Sequence, residues 1–111
     1  MARKYATPED AFQGVEYKDI EGYEGIYAVS RDGKVYSYRQ RILLRPEVVH
    51  NGYLRVSLCV GGKPVHRRIH RLVAEAYIPN PEDKSQVNHK NGIRTDNRVE
   101  NLEWVSAKEN I

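Results

Sequence analysis

Val87-Asn88-His89-Lys90-Asn91-Gly92 is followed, after a polar loop, by Leu102-Glu103-Trp104-Val105 and then by Ser106-Ala107-Lys108-Glu109-Asn110. Asn91-Gly92 is a tight-turn pair, because glycine accepts positive φ and asparagine tolerates it. Leu102–Val105 can pair as a strand with the segment that bears His89. Ser106 with a glutamate three residues on is a capping box, so a helix is expected to begin there. Strand, loop, strand, helix makes a finger-like ββα unit. It brings together one imidazole, His89, and two amide side chains, Asn88 and Asn110.

Upstream, the pattern is that of antiparallel β-structure. Ile26-Tyr27-Ala28-Val29 and Lys34-Val35-Tyr36-Ser37-Tyr38 flank Ser30-Arg31-Asp32-Gly33, and Asp-Gly is a strong hairpin signal. In Tyr53 to Val60 the aliphatic side chains fall at every second position. Period two puts Leu54, Val56, Leu58 and Val60 on the core face and leaves Tyr53 and Arg55 outward. Gly61-Gly62 turns the chain into a second strand, Lys63–Ile69, with Val65 and Ile69 packed. Between His70 and Tyr77 the period becomes helical, with Leu72, Val73, Ala76 and Tyr77 on one face. Ile78-Pro79-Asn80-Pro81 ends that helix, since each proline disfavours helix in the residue before it. Residues 1–14 show no sustained periodicity and read as a flexible arm.

The 111 residues are 40% apolar and 30% charged, with one methionine, one tryptophan, one phenylalanine and eight tyrosines. That suffices for one modest core in a single small domain. No apolar run approaches the roughly 20 residues of a membrane span. The polar start, Met1-Ala2-Arg3-Lys4, lacks a signal-peptide core, so a cytoplasmic location is expected. A single cysteine, Cys59, excludes an internal disulfide framework and a multi-cysteine zinc site. It lies on the polar face of its strand without an acid–base partner.

Charge is unevenly spread. Residues 31–71 hold ten basic side chains against Asp32 and Glu47, whereas the flanking segments are acidic. A basic, mostly arginine block with interleaved tyrosines suits a surface that tracks phosphates. The plain alternative is a solvated, charge-patterned surface.

The blocks His70-Arg71-Leu72-Val73-Ala74-Glu75-Ala76-Tyr77, Val87–Gly92, Asp96–Val105 and Lys108-Glu109-Asn110 together resemble the HNH homing endonucleases of phages and mobile introns. Upstream, Asp19-Ile20-Glu21-Gly22-Tyr23-Glu24-Gly25-Ile26-Tyr27-Ala28-Val29-Ser30 with Gly33–Ser37 resembles a small nuclease-associated motif that often precedes that domain. The resemblance covers about residues 15 to 110. It implies an α+β fold: an antiparallel β-ribbon or hairpin region over 15–66 and a ββα-metal (HNH) finger over 67–111.

The resemblance also implies a metal-dependent DNA endonuclease that hydrolyses a phosphodiester bond, nicking as a monomer or cutting both strands as a homodimer. His89 would be the general base, since an imidazole titrates near working pH. Asn101 would buttress the loop and hold His89 in orientation. Asn88 and Asn110 would bind one divalent cation, Mg²⁺ or Mn²⁺. Double-stranded DNA would lie along Arg39, Arg41, Arg45, Arg55, Lys63, Arg67, Arg68 and Arg71.

Two departures qualify the match. Asn88 stands where the family often has a carboxylate, and neutral amides attract hard cations less. Ile111 follows soon after the expected helix start, which reads as a truncated or unusually short member. Both favour the alternative, a catalytically inactive DNA-binding module.

Plainer readings hold at other positions. Asn97 reads as a turn or cap residue, and Trp104 as core beneath the finger. His66 and His70 straddle a strand-to-helix junction, so they need not share a face to hold zinc.

Overall fold

The computed structural model describes residues 3–109. Helix α1 (Pro8–Phe12) precedes four short strands, β1 (Tyr17–Asp19), β2 (Tyr27–Ser30), β3 (Val35–Ser37) and β4 (Ile42–Leu43), which form one antiparallel sheet in that order. Strands β5 (Glu47–Val48), β6 (Leu54–Val60) and β7 (Lys63–Arg68) form a second antiparallel sheet. Helix α2 (Ile69–Tyr77) leads to the β8 (Gln86–His89) and β9 (Leu102–Val105) pair, with a 3₁₀ turn over Val99–Asn101 just before β9.

All four β2 residues are buried, because the first sheet is covered on both faces. One face meets α2 and the main core of Tyr27, Val29, Val35, Val56, Leu58, Leu72 and Val73. The other meets α1, through Ala28, Tyr36, Ala11 and Phe12. The first sheet is therefore a middle layer, and the alternation of a one-sided strand is lost in it.

Residues 8–12 are not a loose arm. Thr7 caps α1, its hydroxyl oxygen accepting from the Asp10 N–H at 3.1 Å, and Pro8 occupies the first turn. Phe12 stacks against Tyr17 with ring centroids 5.1 Å apart. Five residues are too few to show a helical period, so the legible signal was Thr7-Pro8 and not a stripe.

The β6–β7 hairpin forms around Gly61-Gly62 as expected, and its root is buried through Val56 and Leu58. Val60 and Val65, expected in the core, are 44% and 47% exposed, because the hairpin tip runs past the body of the molecule. Ile69 is buried but opens α2, so the strand ends one residue earlier than its pattern suggests. The covered face of α2 also takes in His70 and Ala74, while Ala76 and Tyr77 are only half-buried.

The β2–β3 turn docks the ribbon region onto the finger. The Arg31 carbonyl accepts from the Val99 N–H at 2.9 Å, and the Arg31 guanidinium reaches Glu16 and Glu100. Gly33, at φ 88°, lies so close to the finger that a Cβ on it would sit 2.9 Å from the Asn97 Cβ.

Candidate functional site

The two strands of the finger pair as the sequence dictates, while the expected helix is represented among the described residues only by its capping turn. The register pairs Asn88 with Glu103 and His89 with Leu102, and Gly92 closes the turn by donating its N–H to the His89 carbonyl at 2.9 Å. Neighbouring residues of a strand point to opposite faces, so His89 turns inward, 6% exposed, while Asn88 is half-buried on the other side. At the end of β9, the Glu109 N–H bonds the Ser106 hydroxyl at 3.1 Å and the Ser106 N–H bonds the Glu109 carboxylate at 3.0 Å. The capping box is thus formed, with residues 107–109 in a turn. Asn110 lies outside the described residues.

The His89 Nε2 is 2.7 Å from the Asn97 Oδ1, with both residues buried. An amide oxygen only accepts, so Nε2 is the donor of this bond, and in the neutral ring the lone pair is then on Nδ1. Asn101 does something different. Its amide accepts from the Asn91 N–H at 3.0 Å and donates to the Asn91 side chain and the Asp96 carbonyl, each at 2.9 Å. Asn101 therefore bonds the loop and not the imidazole it was expected to hold; Asn97, read from sequence as a cap, is the residue that touches His89. The loop is pinned further by Asp96, which binds Arg98 in a fork with both contacts at 2.8 Å. That guanidinium, with help from the Asn91 amide, holds the Asp96 carboxyl well below the usual range.

A second imidazole backs the first. His70, 6% exposed, sits with its ring 5.0 Å from that of His89 and stacks on Tyr53 at 4.9 Å. Burial, reinforced by His89, Arg68 and Arg71, pushes its pKa down to about 4. Its Nδ1 is buried and has no hydrogen-bond partner among the described residues. Tyr53 is consequently not the outward side chain that alternation suggests. It precedes the first β6 residue and is half-buried against both imidazoles.

On the other face of the hairpin the Asn88 amide nitrogen donates to the Glu103 carboxylate at 2.9 Å. This turns the Asn88 carbonyl oxygen away from Glu103 and sets a charged oxygen donor beside a neutral one. That donor set suits a hard divalent cation. Among the described residues, no group of three or more His, Cys, Asp and Glu side chains is placed to hold a metal ion. Glu103 was legible only through the hairpin register.

The expected DNA-contacting residues divide by their partners. Arg39, Arg41, Arg45, Lys63 and Arg68 are exposed. Arg55 pairs with Glu47, and Arg67 with Glu75 at 2.8 Å. Arg71 donates to the Ser85 carbonyl at 2.8 Å and lies 5.4 Å over the Trp104 ring, so it fastens α2 to the finger. Trp104 is half-buried and donates to the Ile78 carbonyl at 2.9 Å. His66 is exposed on β7 while His70 is buried, and the two do not share a face. Arg94, outside the basic block, lies over Tyr53 and was missed by the charge reading.

Comparison with known proteins gives this arrangement its lineage. Residues 67–111 match the HNH endonuclease family, and residues 16–59 match the NUMOD4 motif. The DNA endonuclease I-HmuI of Bacillus phage SP01 is 41% identical over 97 residues, covering 87% of this chain and 56% of that protein. The chain is a homologue of the HNH homing endonucleases. The HNH endonuclease L245 of Acanthamoeba polyphaga mimivirus, itself uncharacterized, is 39% identical over 85 residues, or 77% of this chain and 26% of that one. A solved structure described as DNA binding and cleavage by the HNH homing endonuclease I-HmuI superposes with a TM-score of 0.82. It is 42% identical, covering 86% of this chain and 55% of that one. The small α+β architecture with antiparallel sheets and few helices is therefore that of an HNH homing endonuclease. The chain spans about half the length, or less, of these curated relatives. No helix among the described residues is long and apolar enough to cross a membrane.

Proposed function

We propose that the chain is a metal-dependent DNA endonuclease that hydrolyses a phosphodiester bond, with His89 as general base. The observation that supports this best is the His89–Asn97 hydrogen bond. A general base needs one nitrogen held and protonated and the other free to take a proton from water, and the buried amide oxygen of Asn97 provides that division. His70, neutral at working pH, adds no charge beside it.

Asn88 and Glu103 would hold one divalent cation, Mg²⁺ or Mn²⁺, with Asn110 as the further ligand that the family resemblance implies. Such an ion, when bound, supplies charge stabilisation at the scissile phosphate and the departing 3′ oxygen. Because the protein offers few charged donors, the ion binds weakly to free protein and mainly with DNA present. Calorimetry without DNA is expected to show weak Mg²⁺ binding, and tight binding would contradict this. The exposed Arg39, Arg41, Arg45, Lys63 and Arg68 track the backbone of double-stranded DNA, with Arg55 and Arg67 joining if they exchange their carboxylates for phosphates. One such site cuts one strand, so a monomer nicks and a homodimer is needed for a double-strand break.

The deciding experiment is nicking of supercoiled plasmid with Mg²⁺, Mn²⁺ or EDTA, beside His89→Ala. Metal-dependent open circles that vanish in the variant are the expected result. The neutral amide at Asn88 favours a second reading, an inactive DNA-binding module. DNA retardation with no cleavage by either protein would establish it.

A further inference from the structure

We propose that Arg68 and Arg94, both laid on the Tyr53 ring, form a clamp for one backbone phosphate of the bound duplex beside His89. The clamp rests on the nuclease reading above for its substrate, but not for its geometry. Each guanidinium carbon lies 5.0 Å from the Tyr53 ring centroid, so the two are no more than 10 Å apart. The His89 ring is 5.9 Å from that same ring.

The two arms come from different parts of the chain. Arg68 ends β7, whereas Arg94 follows the Asn91-Gly92 turn of the finger. Arg94 crosses the junction and donates to the Asn51 carbonyl, which fixes its far end. The ring they share is held in place, because Tyr53 is stacked on the buried His70 of α2. No hydrogen bond engages the Tyr53 hydroxyl among the described residues, so the ring itself is what the arginines use.

Charge points to the ligand. Arg31, Arg55, Arg67, Arg71 and Arg98 all have carboxylate partners. Among the described residues neither Arg68 nor Arg94 has one. A guanidinium lying on an aromatic ring keeps its in-plane N–H donors for a planar or tetrahedral oxyanion, and Arg94 retains those that it does not give to the Asn51 carbonyl. Two cations each 5.0 Å from one ring centroid repel each other, and an anion that both reach offsets that repulsion. A phosphodiester has that charge and two free oxygens, and it is what DNA brings to within reach of His89.

The test is a double-mutant cycle on DNA binding in EDTA, where no cleavage occurs. Fluorescence anisotropy with a short duplex would compare wild type, Arg68→Gln, Arg94→Gln and the double variant across a salt titration. Each single change is expected to weaken binding about ten-fold, equivalent to one good charge-assisted contact. The double variant should be little weaker than either single one, with the log–log salt slope reduced by about one. Tyr53→Phe should restore wild-type behaviour that Tyr53→Leu loses. Additive losses with a slope reduced by about two would mean two separate phosphate contacts and overturn the clamp. So would wild-type binding by Arg94→Gln. Plasmid nicking run in parallel separates the two readings. A coupled cycle with no nicking by wild type would retain the clamp and reject the nuclease. Full nicking with an uncoupled cycle would do the reverse.

Discussion

Asn97 and Asn101 are alike in residue type and local setting, both asparagines near a turn in a polar loop, and only the family resemblance set Asn101 apart. Their roles separate only in three dimensions, where Asn97 reaches the His89 Nε2 and Asn101 reaches Asn91 and Asp96. Asn97→Ala should leave the imidazole free to rotate and change tautomer. Loss of such an orienting partner typically costs about 10- to 100-fold in activity, so single-turnover nicking should fall by that range. The ¹⁵N shifts of His89 should report protonated Nε2 in wild type and a tautomer mixture in the variant. His89 and Asn88 themselves were legible, because a histidine before Asn-Gly and a returning Leu102–Val105 strand leave little choice of register. Arg94 was not, since it lies in a net-acidic third of the chain, outside the basic block, and carries no compositional signal.

The elements were read well where a period had room to repeat. The seven residues of β6 and nine of α2 show their faces in sequence. The five of α1 and the double-sided β2 do not, for lack of length in one case and of a wet face in the other. Turns were legible as turns, but what they touch was not. Gly33→Ala tests this at the β2–β3 turn. Its positive φ costs roughly 1–3 kcal/mol for a residue with a side chain, and the new methyl group would also press on Asn97. Gly25→Ala is the comparison, with φ 75° but nothing within 4 Å of its Cβ. Both variants should lower the urea midpoint, and only Gly33→Ala should also slow nicking through Asn97.

At the scale of the whole molecule, stability carries a signature of His70. Its folded pKa of about 4 lies below the ordinary 6.5, so the folded state favours the neutral ring and binds fewer protons than the unfolded chain. The contribution is complete above pH 6.5 and is lost as pH falls towards 4. Urea unfolding at pH 7.5 and pH 4.5 should differ by an amount on the order of 2 kcal/mol from this group. His70→Phe should remove that step. The lowered carboxyls of Glu9, Asp96 and Glu109 begin to lose their contributions only as pH falls through the ordinary carboxylate range, so they overlap the acid end of the His70 window and not its upper part.

The contact between Gly33 and Asn97 reaches beyond this one chain. A cut anywhere between residues 33 and 97 would separate the bare backbone of the turn from the amide that leans on it. A chimera that grafts this finger onto a foreign ribbon would retain an oriented His89 only if the incoming turn also has no side chain there. The two matched segments thus meet closely at position 33, where a side chain on the turn would press on the amide that holds His89.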